Sequence, residues 1–117
     1  MRRGRTSRPP FRSKPKDIMN IKDLQDAVMR ISDIYAREHS INRDRDWALL
    51  KLQEELGELT QEHLRLTSRA RGVPNTQSQA DEAADVLGML LIYCTMNNID
   101  IEDAMQRKWL NWLKPQT

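Results

Sequence analysis

The sequence predicts an all-α protein, a four-helix antiparallel bundle completed by homo-oligomerisation. Three observations point there. Ala, Leu, Met, Glu, Gln and Arg are frequent, β-branched runs are absent, and only four glycines and five prolines interrupt the chain. Apolar residues recur at helical spacing in successive segments. The third segment, from Val86 to Met96, is apolar all round (VLGMLLIYCTM), a pattern of helices buried on every side. A chain of 117 residues makes one small domain, which can hardly surround such a helix alone, so an oligomer follows, a homodimer or a homotetramer.

The first helix is predicted over Ile21 to Glu38, where Ile21, Leu24, Val28, Ile31, Ile34 and Tyr35 share a face. His39 to Arg45 reads as a polar loop, with Asp44 or Asp46 capping the next helix. The second helix spans Asp46 to Arg69, with Leu49, Leu52, Leu56, Leu59, Leu64 and Leu66 forming a broad apolar face. Gly72, Pro74 and Asn75 break it. Ser78 is the predicted cap of the third helix, Gln79 to Met96, and Asn97 and Asn98 end it. Asp100 caps a fourth helix over Ile101 to Leu113.

Charge is unevenly distributed. Residues 1–16 hold seven basic side chains and no acid, whereas the domain over 17–117 holds 12 basic and 17 acidic residues, a net of −5. The first segment, with three prolines and little apolar content, is expected to be a disordered basic tail. Nucleic-acid contact is expected only through that tail, because a nucleic-acid footprint should leave basic residues on the folded domain. The single cysteine, Cys94, excludes an intrachain disulfide and a cysteine-based zinc site, and fits a reducing, cytoplasmic setting. The longest apolar run, Val86 to Cys94, is about half of what a membrane span needs.

The acids carry the functional signal. LQEELGELTQE, from Leu52, contains four glutamates and Gly57. Acids four apart on a helix repel, and glycine costs about 1 kcal/mol relative to alanine in a helix interior. On the helical wheel Trp47, Lys51, Glu55, Glu58 and Glu62 form one stripe at the edge of the leucine face. QADEAADVLGML opens the third helix and sets Glu82 and Asp85 on one face with Met89 and Tyr93. A short loop makes the two helices antiparallel neighbours, so the pairs Glu55/Glu58 and Glu82/Asp85 are expected to converge. Small residues, Gly57, Ala83, Ala84 and Gly88, are expected to let the backbones approach. Converging carboxylates call for a hard divalent cation, and Mg²⁺ with few carboxylates, waters and a polyphosphate is the natural occupant, Mn²⁺ the alternative.

Glu-x-x-Glu, 23 residues, then Glu-x-x-Asp resembles the signature of the all-α nucleoside triphosphate pyrophosphohydrolases, the MazG-like family with its dimeric dUTPase and dCTP pyrophosphatase relatives. LQEELGEL and DEAADVLGMLLIYC resemble its two metal-binding helices, and Asn111-Trp-Leu-Lys114-Pro115 resembles its C-terminal motif without the usual tyrosine. The resemblance covers Ile21 to Pro115. It implies Mg²⁺-dependent hydrolysis of a nucleoside triphosphate to monophosphate and pyrophosphate, with Glu55, Glu58, Glu82 and Asp85 as metal ligands. Glu54 matches an extra acid beside the first motif, and Glu54 or Glu58 is expected to accept the proton of the attacking water. Lys51 is expected to contact phosphate or to pair with Glu55. Arg107, Asn111 and Lys114, placed on one face of the fourth helix, are candidates for triphosphate or sugar. Two alternatives stand beside this reading: a phosphoribosyl-ATP pyrophosphohydrolase, and a non-catalytic helical module with a nucleic-acid-binding arm. A di-iron bundle is disfavoured, since neither His39 nor His63 follows a glutamate at the required interval of three.

Overall fold

The computed structural model describes residues 19–113. The basic segment over 1–16, Lys114 and Pro115 lie outside them. The described residues form four α-helices, α1 (Ile21–Glu38), α2 (Trp47–Leu66), α3 (Thr76–Met96) and α4 (Ile101–Lys108), and a 3₁₀ turn, Leu110–Trp112. No strand occurs among them, as the composition requires. None of these helices is long and apolar enough to cross a membrane.

α3 is the organising element: α2 packs along it most extensively, α1 lies against it as well, and α4 leans on α1. Ala48 of α2 meets Met89 and Ile92 of α3 in the core, and Val28, Met29, Trp47, Leu52, Tyr93 and Met96 pack around them. Further along α2, Glu55 meets Glu82 and Asp85. Rising numbers on α2 therefore match falling numbers on α3, and the two helices run antiparallel.

The helix ends follow from local chemistry. Asn20 caps α1 by accepting from the Asp23 amide at 2.8 Å, and Asp100 caps α4 through the Asp103 amide at 3.1 Å. α1, α2 and α3 all close in the same way. The residue after each cap, Ser40, Ser68 and Asn98, is left-handed, with φ of 53°, 63° and 57°. The next amide then reaches back to the helix: Ile41 to Ala36 O at 2.9 Å, Arg69 to Leu64 O at 2.7 Å, and Ile99 to Cys94 O at 2.8 Å. This is the Schellman closure, made here without glycine.

Long polar side chains tie the connections down. Arg43 donates to Ser32 Oγ at 2.9 Å and to Asp33 Oδ1 at 2.7 Å, folding the α1–α2 loop onto α1. The buried Gln25 donates to Ile99 O at 3.1 Å and fastens α1 to the turn before α4.

Several expectations need correction. α3 begins at Thr76, capped by Asn75, whose Oδ1 accepts from Gln77 and Ser78 at 2.9 and 3.1 Å; Ser78 is thus in the first turn and caps nothing. α2 stops at Leu66, three residues before the expected Arg69, and Asp46 makes no side-chain cap bond. Asp44 instead accepts from the Asp46 amide at 3.1 Å. α4 ends at Lys108, because the chain leaves the α-helix at Trp109 and continues in a 3₁₀ turn. α3 is not enclosed on every side: Leu91 is buried, while Leu87 is 42 % exposed. The leucine face of α2 also divides. Leu52, Leu59, Leu64 and Leu66 are half-buried, whereas Leu49 and Leu56 are exposed.

Candidate metal centre

The stripe that the wheel places at the edge of the leucine face is the inward face of α2. Glu55 and Glu62 are among its three buried residues, with Ala48. Glu55 is fully buried and Glu82 nearly so, at 0 % and 1 % exposure, where charge is tolerated only when it is compensated. Two overlapping groups of acids result. Glu54, Glu55 and Glu58 form one; Glu55, Glu82 and Asp85 form the other; in each, one carboxylate oxygen per residue lies within 4.8 Å of the others. Glu55 belongs to both and is the hinge of the cluster. Glu58 meets Glu55 in the first group and is absent from the second, so the four expected ligands form a chain around Glu55.

Electrostatics follow the geometry. Burial pushes the Glu55 carboxyl above its ordinary 4.5, and the charges of Asp85 and Glu58 push it further in the same direction. A cation set among these oxygens reverses both effects. The donor set, all carboxylate oxygen, suits a hard divalent ion.

Lys51 donates to Glu54 at 3.2 Å, not to Glu55. The pair sits at the mouth of the cluster, Lys51 29 % and Glu54 48 % exposed. Glu54 thus stands at the solvent edge beside two inward acids. Arg107 and Asn111 are elsewhere. Both are exposed, and they sit on α4, which packs on α1, and on the 3₁₀ turn, which packs on α4. Arg107 is held by Asp103 at 3.2 Å, and Asn111 donates to Arg107 O at 3.4 Å. The expected continuous face joining them is broken at Trp109, and the third member, Lys114, falls outside the described residues.

Sequence reasoning missed Glu62. It is not a mere continuation of the stripe: it is buried and accepts from Arg65 at 2.7 Å. Arg65 also donates to Gln61 Oε1 at 2.9 Å and to Arg71 O at 2.9 Å. The signal was present in the interval of three between Glu62 and Arg65. Arg65 in turn explains Gly72, whose φ is +120° and whose added Cβ would stand 2.6 Å from Arg65 Nε. A groove of about 390 Å³ runs along α2 from the acids to this arginine, lined by Glu54, Gly57, Glu58, Gln61, Glu62 and Arg65.

The small residues do not bring helices together. A Cβ on Gly57 or Gly88 would meet nothing within 4 Å, and Ala83 and Ala84 are exposed. Gly57 instead leaves the groove open. Because it is exposed and helical, Gly57→Ala should stabilise the protein by roughly 0.5–1 kcal/mol. Urea unfolding checks this, and a lower midpoint would show that the position needs glycine.

His63 is exposed, and His39 is an exposed end-of-helix residue stacked on Tyr35 with ring centroids 4.1 Å apart. Of the aromatic side chains, Trp47 and Tyr93 pack against the core. Trp109 and Trp112 are 62 % and 84 % exposed. Cys94 is buried, as a small apolar residue would be.

The chain matches no family model, no curated protein and no solved structure.

Proposed function

We propose that the protein is a Mg²⁺-dependent nucleoside triphosphate pyrophosphohydrolase that converts a (deoxy)nucleoside triphosphate to the monophosphate and pyrophosphate. One observation carries this reading. Two carboxylates of α3 meet the buried Glu55 of α2 within 4.8 Å, in the two spaced pairs that resemble the MazG-like signature. Glu55, Glu82 and Asp85, with Glu58 adjoining, would hold the ion, and Mn²⁺ is the natural substitute. Bound Mg²⁺ supplies neutralising charge and a water of lowered pKa.

The chain's own residues divide the remaining work. Glu54 and Glu58 both belong to the outer group of acids and not to the inner one; in this reading Glu54, the more exposed of the two, takes the proton of the attacking water, and Glu58, beside Glu55, orients it. Lys51, held beside Glu54 at 3.2 Å, offers its ammonium to a phosphate oxygen. Attack at the α-phosphorus breaks the bond to the bridging oxygen, and pyrophosphate leaves with the electron pair. Arg107 and Asn111 reach substrate only across a subunit boundary in this reading.

The second part of the proposal is a homo-oligomer, dimer or tetramer. Among the described residues twelve large apolar side chains are exposed, including Leu49, Leu50, Leu56 and Leu87 on α2 and α3, and where such side chains lie together they mark an interaction surface.

The test is pyrophosphate release from a panel of nucleoside triphosphates with Mg²⁺, with and without chelator. Turnover of at least one nucleotide that ceases on chelation is expected. Absence of turnover across the whole panel would sink the reading.

A further inference from the structure

The groove on α2 ends at a set of hydrogen-bond donors that the hydrolytic chemistry does not use. Arg65 carries five N–H groups and no acceptor. Three are committed, to Arg71 O, Glu62 Oε2 and Gln61 Oε1, at 2.9, 2.7 and 2.9 Å. Two remain. The bond to Gln61 also settles the orientation of its amide: a guanidinium only donates, so the atom facing it is oxygen and the NH₂ group turns the other way. Neither that NH₂ nor the remaining Arg65 N–H groups have another acceptor among the described residues. Both residues line the groove whose opposite end is Glu54 and Glu58.

Charge decides what would bind at each end. Arg65 is neutralised by the buried Glu62, and the other acids of the groove, Glu54 and Glu58, leave it negative. A phosphate therefore stays at the carboxylate end, where a divalent cation compensates it. The Arg65 end suits a neutral group rich in acceptors. Seven residues separate Glu58 from Arg65, which on a helix is about 10 Å, the order of length between the phosphates of a nucleotide and the far edge of its base.

We propose that Arg65 and Gln61 form a donor edge that selects keto-bearing nucleobases, uracil, thymine or guanine, over cytosine and adenine. The inference rests on the pyrophosphohydrolase reading for the nature of the ligand. Uracil and thymine O4 and guanine O6 present acceptors to such an edge. Cytosine and adenine place an amino group at the same position, so donor meets donor and both lose their water partners. A polar site of this kind rejects the mismatched ligand more sharply than an apolar pocket does.

Calorimetric titration with non-hydrolysable α,β-imido analogues in Mg²⁺ reads this without turnover. The deoxyuridine analogue should bind about tenfold more tightly than the deoxycytidine analogue, and the deoxyguanosine analogue should exceed the deoxyadenosine one similarly. Arg65→Lys keeps the charge beside Glu62 and loses the fork; Gln61→Leu, at an exposed position, spares the Glu62 pair. Each should bring the ratio towards one. Equal affinity for all analogues in the wild type, no binding of any, or a ratio that neither variant changes would overturn the proposal. Selective binding without pyrophosphate release from natural nucleotides would remove the hydrolase reading and leave the donor edge. Indiscriminate binding with turnover would do the reverse.

Discussion

Glu55→Gln should lower pyrophosphate release by at least 100-fold, about 2.7 kcal/mol of transition-state stabilisation, and yet leave the metal-free protein as stable as wild type or more so. Glu55 is the one carboxylate shared by both groups of acids, with its oxygen within 4.8 Å of those of Glu82 and Asp85 in the inner group. On the proposed reading, removing its charge removes a ligand from the middle of the cluster. Glu82→Gln should do the same from the other helix, and the double variant should be little worse than either single one, because the ligands act as a unit. The stability half of the prediction separates a binding site from a structural ion pair. Breaking a buried ion pair typically costs 3–5 kcal/mol, whereas replacing a desolvated acid crowded by other acids with an amide relieves repulsion. Differential scanning calorimetry in chelator decides it: a markedly lower melting temperature for Glu55→Gln would mean that its charge supports the fold.

The second large effect is in pH. Burial first, then the charges of Asp85 and Glu58, hold the Glu55 carboxyl above its ordinary 4.5. The folded protein thus binds this proton more tightly than the unfolded chain, and the sign follows. The stabilising contribution of the proton is complete below 4.5 and disappears as pH rises through the raised value. In chelator, the melting temperature should decline from weakly acid to neutral pH. Mg²⁺ at about 100 times its dissociation constant should restore about 2.7 kcal/mol at neutral pH and much less under acid conditions, where proton and metal compete for the same oxygens. In Glu55→Gln both the decline and the rescue should flatten. A Mg²⁺-induced shift of equal size at pH 5 and pH 8 would contradict the placement of the ion at Glu55.

What was legible in the sequence depended on how local the cause was. The limits of α1 and the Asp100 cap could be read because apolar period and capping chemistry agree over a few residues. The start of α3 could not, since Asn75 and Ser78 are both good caps, and it is Asn75 whose Oδ1 accepts from the Gln77 and Ser78 amides. The end of α4 gave no warning: WLNWL contains no breaker, and the turn to 3₁₀ at Trp109 has no local signature. At the site, the meeting of Glu55 with Glu82 and Asp85 was readable from two intervals of three and one short loop. The burial of Glu62 was not, because the carbonyl of Arg71 and the open backbone at Gly72 fix its partner Arg65 from the loop. The wheel also misjudged which face turns inward. It ranked Leu49 and Leu56 above Glu55 by hydropathy, and the fold reverses that order, as a chain that reserves its apolar stripe for other contacts would.

That reversal ties the life of the fold to its abundance. Only six apolar side chains are buried among the described residues, while twelve large ones face outward. On the oligomeric reading, those outward apolar side chains leave water only when copies of the chain meet, and folding and assembly become one mass-action equilibrium. Dilution then acts as a denaturant. A cell that lowers the concentration of this chain reduces not only how much of it there is but also the fraction that is folded, so its activity would fall more steeply than its amount.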